Sequence, residues 1–454
     1  MKLDSDKTFG ELYSSAEALQ TALTDLETRY KKTVSDTRIP LRFLTLRDKP
    51  QSEPLGNTIH LRLTQKVDYD PSWAYVAVSY TWAQPEGLAA QFNTPEIKIW
   101  INDTEARPPY CPPSVIYRAL QYDTLEAKTG HIWIDQECID QCDATDRDEH
   151  IAHMHKIYER SKCTAIVLSH AMSSSHATLL QRCVDADESD RLEGALKKGD
   201  SKDEDQEGHN QEEDEKASAA RIALRTASQF KYQPEKSNNL ESLLMKEDQE
   251  EGPIDPVLCT LFERMVEDTY FTRAWTYQEQ ICSKNACYLI PILLDSTSYG
   301  DTSGQEQRSI LMPSTFIQGV DRWSSRAFRL DGGYRENYTE STIRLKSLVS
   351  MNFRNWENFP EGGASMTVTG DRNIILWSTI SGMKKRDCKY VSDRVTIIAN
   401  ISGLTTTLRT TELQEDNEAS YSTCVLALLV MNQVYKGSVS RIMGQTIGNV
   451  LIVF

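Results

Sequence analysis

The stretch HIWIDQECIDQCDATDRDEHIAHMHKIYERSKCTAIVLS, residues 131–169, decides how the chain folds. It opens on a short β-prone run, HIWID (131–135), and closes on another, CTAIVLS (163–169). Between them Ile151, Met154, Ile157 and Tyr158 fall on one face of a helix, with Thr145 and Asp148 read as a capping box at its start. Strand, helix, strand at this spacing predicts a βαβ unit with parallel strands and a right-handed crossover. A further β-prone run, YVAVSYTW (75–82), lies upstream. Strands of such sheets are buried on both faces, and ligands gather just outside their carboxyl ends. Ser79 to Trp82 and Asp135 to Asp140 are therefore expected in the ligand-binding zone of an α/β fold, a mostly parallel sheet flanked by helices.

Outward from this unit, the 454 residues suffice for two or three domains, each with its own core. Residues 1–60 read as an N-terminal helix and connector. Leu12, Ala16, Leu19, Leu23, Leu26 and Tyr30 form an apolar seam over about residues 9–32, which either docks on the protein's own body or pairs with a second copy. Pro40, Pro50 and Pro54 punctuate the connector. Residues 61–295 read as the α/β domain, interrupted at about 185–217 by an acidic insertion expected to be solvated and mobile. Helical patterns resume at Ser218–Phe230 and Pro256–Asp268, and ACYLIPILL (286–294) is an apolar run. Residues 296–454 read as a mixed α+β region with helical and strand-like pieces such as DRVTIIANI (393–401).

The formal charge is −16 and the chain has no lysine- or arginine-rich run, so it carries no electrostatic footprint for nucleic acid or an anionic membrane. CVLALLVM (424–431), the longest unbroken apolar run, is too short to span a bilayer. The opening MKLDSDKTFGELY lacks the apolar core of a secretory signal. Ten cysteines at scattered spacings, with no CxxC pair, predict reduced thiols and a cytoplasmic location.

Asp135, Glu137 and Asp140 at a strand's end can bind a metal, act as acid or base, or accept hydrogen bonds from loop amides as turn formers. His150 and His153, with Asp146 one turn earlier, lack the third and fourth ligands of a zinc site and read as the solvated flank of an amphipathic helix. No metal site is expected. GxGxxG, GxxxxGK[ST] and GxSxG are absent, which removes support for dinucleotide dehydrogenases, P-loop enzymes and serine hydrolases. In RAWTYQEQ (273–280), Trp275 and Glu279 share a face if the segment is helical, so the indole could shield the carboxylate and raise its pKa. Alternatively, Trp275 packs and Glu279 caps or pairs with Arg273.

Taken together, YVAVSYTW, IWIDQECIDQ, MHKIYERSKCTAIVLS and FTRAWTYQE resemble the ordered motif set of fungal heterokaryon incompatibility (HET) domains. SDRVTIIANISGL (392–404) is similar to the short motif that often closes such proteins. The resemblance implies non-self recognition between fungal individuals, with an incompatibility partner protein, self-association and programmed cell death. HET domains more remotely resemble Toll/interleukin receptor (TIR) domains, which implies a flavodoxin-like sheet and NAD as a substrate, with no bound cofactor. Carried over residue by residue, Glu279 is then the catalytic counterpart. Ser79, Tyr80, Trp82, Asp135, Asp140, Arg273 and Trp275 are the implied substrate-binding residues, with Asp135 and Asp140 beside Ser79 and Glu279.

Overall fold

The computed structural model describes residues 1–34, 39–48, 58–82, 94–173, 175–181, 183–185, 254–293, 309–320, 348–349, 376, 379–383 and 386–452. The acidic insertion beyond residue 185 and the pattern at Ser218–Phe230 lie outside them. The chain divides into two compact units. One comprises Met1–Ser174, Phe262–Ser314 and Ser347–Phe454; the other comprises Ser175–Leu261 and Thr315–Lys346. The described residues of the second unit are largely helical, and the pattern near Pro256 is the helix Ile254–Val266. The sheet, the N-terminal helices and the C-terminal helices all belong to the first unit.

Among the described residues ten strands form its main sheet: β1 (Leu44–Leu46), β2 (Thr58–Leu63), β3 (Val76–Tyr80), β4 (Glu96–Trp100), β5 (Ala106–Arg107), β6 (Ile132–Ile134), β7 (Cys163–Val167), β8 (Met172–Ser173), β9 (Ala286–Leu293) and β10 (Ser309–Pro313). The spatial order is β8-β9-β7-β3-β6-β1-β2-β4-β5, with β10 also paired to β9. At the centre β9, β7, β3 and β6 run parallel. The two strands of the expected βαβ unit are thus parallel members of one sheet, with β3 inserted between them. β1 pairs antiparallel with both β6 and β2, so the sheet as a whole is mixed. Numbered by chain order, the four parallel strands lie 2-1-3-4. The order reverses between β3 and β7, the kind of switch point outside which α/β sheets open a crevice.

The helices that position the site are α1 (Phe9–Leu12), α2 (Ala16–Tyr30), α3 (Pro113–Tyr122), α4 (Asp135–Cys138), α5 (Ala144–Arg160), α6 (Ala274–Cys282), α7 (Val391–Ile401) and α8 (Tyr421–Met431). Because side chains alternate along a strand, Val76, Val78 and Tyr80 face one side of the sheet, where α3 packs through Val115, Ile116 and Ala119. Tyr75, Ala77 and Trp133 face the other side. There they meet Ile157 and Tyr158 of α5, Ala274 and Ile281 of α6, and Ile397 and Ile401 of α7. Each such large apolar side chain, fully buried, contributes on the order of 2 kcal/mol.

Two local expectations are corrected and a third, left open, is decided. The seam expected as one helix over residues 9–32 is two helices. Thr8 and Glu11 make a capping box for α1, and the Ser15 hydroxyl accepts from the Ala18 amide to start α2 anew. Its apolar face, Leu19, Leu23, Leu26 and Tyr30, is used internally against Val425, Leu428 and Leu429 of α8. The cap of α5 is not the Thr145–Asp148 pair but Asp143, whose carboxylate accepts from the Thr145 amide at 2.8 Å. Asp143→Ala is therefore expected to cost about 1 kcal/mol, read as a lower urea midpoint at unchanged slope. DRVTIIANI, read as helical or strand-like, is the helix α7. No described helix is long and apolar enough to cross a membrane; CVLALLVM lies within the buried helix α8.

Candidate functional site

Strand alternation places Ser79 on the same face as Tyr75 and Ala77, at the carboxyl end of β3. The same parity carries from Trp133 of β6 to Asp135, the first residue of α4. The helix that packs over this face, α6, presents Glu279. The Ser79 hydroxyl donates to the Glu279 carboxylate at 2.5 Å and lies 2.9 Å from the Tyr270 hydroxyl. Ser79 is fully buried and Glu279 only 7% exposed. Tyr158 of α5 stands near enough to Glu279 to act on its carboxylate, while its hydroxyl donates to the Val78 carbonyl at 3.2 Å. Tyr270 is held in place by Asp268. One oxygen of that carboxylate accepts from the Tyr270 amide, and the other from the Ser169 and His170 amides just beyond β7.

Asp135 lies at the rim of this cluster, half-buried. It accepts from the Trp82 indole at 2.7 Å and from the Gln136 amide at 2.7 Å. Trp82 is 45% exposed, with its ring open to solvent. Tyr80 points to the opposite face, and its hydroxyl donates to the Gln136 side chain at 2.6 Å. The buried Thr81 hydroxyl, between these residues, has no hydrogen-bond partner among the described residues. Arg273, at the start of α6, is the positive charge that acts on both Asp135 and Glu279.

Two carboxylates near one another in a poorly solvated place resist ionisation together. Burial, and then the charge of Asp135, push Glu279 up to about 7; the Ser79 hydroxyl, Arg273 and Tyr158 work against that rise. Burial likewise raises Asp135, opposed first by the Trp82 indole. Since the Ser79 hydroxyl favours the ionised form, Ser79→Ala is expected to move the Glu279 midpoint further above 7. Carboxyl-resolved NMR titration against wild type checks this.

The geometry thus gathers Ser79, Trp82, Asp135, Arg273 and Glu279, while Tyr80 lies on the other face of the sheet and reaches only Gln136 beside Asp135. Asp140 and Trp275 stand elsewhere. Asp140 is exposed and forms a turn: its carboxylate accepts from the Cys142 amide at 3.0 Å, and its own amide donates to Asp146. The Trp275 indole donates to Asp393 of α7 at 3.0 Å, and the aromatic surroundings of Glu279 come from Tyr158 and Tyr270 instead. Glu137 accepts from the Tyr110 and Cys111 amides and pairs with Arg107 at 2.8 Å, which ties the loop before α3 to α4.

His150 and His153 are not a solvated flank. Both are buried, and the nearby Asp146 is paired with Arg42 at 2.8 Å and Lys66 at 2.5 Å. Elsewhere on α5, residues distant in the chain also make contact: Thr411 donates to Asp148, and Asn400 to the Ile151 carbonyl. No group of side chains suited to holding a metal ion occurs among the described residues. All ten cysteines are free thiols, and only Cys142 is exposed.

Tyr158 was visible as part of the apolar face of α5, although its hydroxyl's partner was not. Tyr270 carried no periodic signal. The Asp268 just before it, a residue type that caps turns, is the one local hint of its placement.

No curated protein and no solved structure shows significant similarity to the chain. The family model of the heterokaryon incompatibility protein (HET) matches residues 75–279. Its limits run from the first residue before β3 to the carboxylate that Ser79 holds, so the match encloses the whole cluster. The chain therefore carries a heterokaryon incompatibility (HET) domain at residues 75–279.

Proposed function

We propose that this HET domain acts in heterokaryon incompatibility by cleaving NAD at the bond between nicotinamide and ribose, and that this triggers cell death. The observation that carries the reading is the buried Ser79–Glu279 hydrogen bond at 2.5 Å, with Asp135 close enough to raise the Glu279 pKa. In support, the parallel strand order 2-1-3-4 is that of flavodoxin-like sheets, the class to which the TIR likeness points.

In the reaction, water replaces nicotinamide on the ribose carbon, giving ADP-ribose, nicotinamide and a proton. As the C–N bond breaks, its electron pair leaves with nicotinamide and the ribose becomes oxocarbenium-like. Ionised Glu279 would stabilise that charge in a site where water screens it weakly. Ser79 orients the carboxylate, Asp135 accepts from ribose hydroxyls, and Arg273 faces the phosphates. The open ring of Trp82 offers a stacking surface for a base.

A second reading has its own support. Glu279 is 7% exposed, which suits a domain that assembles with copies of itself and recruits partners without chemistry. Nicotinamide release from NAD, measured for wild-type protein and Glu279→Gln in self-associated form, separates the two. Release by wild type and not by the variant supports cleavage; death signalling that survives Glu279→Gln supports the scaffold.

A further inference from the structure

The helix that carries Glu279 has no cap of its own. Its N-cap residue, Arg273, makes no side-chain capping hydrogen bond, so the first amides of α6 need partners from elsewhere. They find one more than a hundred residues along the chain. The Asp387 carbonyl accepts from the Ala274 amide at 2.9 Å, and the Asp387 amide donates to the Thr272 carbonyl at 2.6 Å, so a single residue bridges both sides of Arg273. Arg386 donates to the Arg273 carbonyl at 3.3 Å, and its guanidinium lies 4.4 Å from the Tyr277 ring centre. Further along, Asp393 receives the Trp275 indole at 3.0 Å, and the Asn400 amide reaches the Gln278 side chain at 3.4 Å, one residue before Glu279. Arg394 closes the arrangement from within, donating to the Met383 and Arg386 carbonyls.

These contacts fall on Arg273, Ala274, Trp275, Tyr277 and Gln278, and so surround the two charged residues that α6 gives to the site. Their other ends lie on α7 and the residues leading into it. α7 in turn contributes Val395 and Ile398 to the core that holds α2 and α8. A displacement of the terminal helices therefore reaches α6 through packed side chains and paired backbone.

We propose that residues 386–400 are a brace that caps and positions α6, and that through it the N- and C-terminal helices control where Arg273 and Glu279 stand in the site. Asp393 and Arg386 are positioning residues, acting through Trp275 and the Arg273 carbonyl. The proposal rests on the NAD-cleavage reading only for its activity readout.

The test uses the full chain with Asp393→Ala, Asp393→Asn and Trp275→Phe. The Glu279 carboxyl is titrated by NMR, assigned by difference from Glu279→Gln, and nicotinamide release is measured alongside. Asp393→Ala removes the indole's acceptor and is expected to lower the Glu279 midpoint by about one unit as water enters. Nicotinamide release should fall about tenfold to a hundredfold. Asp393→Asn removes the same charge but keeps an acceptor oxygen, and should retain wild-type values. A folded Asp393→Ala protein with an unmoved Glu279 midpoint overturns the proposal. Should that variant not fold, Trp275→Phe decides, since it deletes the indole donor and keeps an aromatic ring in its place: a shifted midpoint supports the brace and an unchanged one overturns it. If wild type releases no nicotinamide, the cleavage reading fails by itself, and the titration still judges the brace.

Discussion

Glu279→Gln is expected to reduce nicotinamide release from NAD at least about a hundredfold, the scale on which deletion of one well-placed transition-state contact acts. Glutamine keeps the volume of the side chain and an oxygen to accept from the Ser79 hydroxyl 2.5 Å away, so the hydrogen bond and the packing survive. What disappears is the negative charge opposite the developing ribose cation. The same reasoning fixes the pH dependence. Glu279 is ionised only above about 7, so the wild-type rate should climb through that pH and level off beyond it. A rate that is flat from pH 6 to 8, or a variant as fast as wild type, would place the chemistry on another group.

The same substitution should stabilise the fold in alkaline solution. An unfolded glutamate titrates near 4.5, whereas Glu279 in the folded protein is pushed up to about 7 by burial and by Asp135. A raised carboxyl pKa means that the folded state binds the extra proton between those two values. Its contribution to stability is fully present below 4.5 and is lost as pH rises through 7. The difference corresponds to about 3 kcal/mol. Glu279→Gln cannot ionise, so its stability should exceed wild type by up to about that amount at pH 8 and converge with it near pH 4. Paired urea denaturation curves at the two pH values measure this; equal midpoints at pH 8 would mean that Glu279 is well solvated. A site that holds a destabilising charge where the fold would do better without it is a common mark of function over stability.

The parallel strands and the rim on which Ser79 and Asp135 lie were legible because strand alternation and the strand–helix–strand spacing are short-range signals. Ile132, Trp133 and Ile134 are apolar on both faces, as a central parallel strand must be. Glu279 came from resemblance; its burial depends on α6 lying across β3, and no periodicity within α6 records that. Trp275 was drawn toward Glu279 because the two are four apart, yet it bonds to Asp393, a residue of α7. Spacing shows which residues share a helix face but not what is docked there. His150 and His153 read as solvated for the same reason, yet both are buried beside Asp146, which is held by Arg42 and Lys66 from far earlier in the chain. Asp140 sat in the right loop, but its carboxylate is spent on the Cys142 amide of its own turn, the usual fate of aspartate in such a place. The N-terminal seam was read correctly as apolar, while Ser15 and its capping contact divided the helix.

The central claim is that side chains at 79, 135 and 279 share one poorly solvated crevice. Titration of the Glu279 carboxyl by NMR in Asp135→Asn, beside wild type, tests it most directly. The account predicts a wild-type midpoint near 7 and a clearly lower one in Asp135→Asn, because the neighbouring negative charge is gone. A wild-type midpoint near 4.5, or one that Asp135→Asn leaves unmoved, would contradict it.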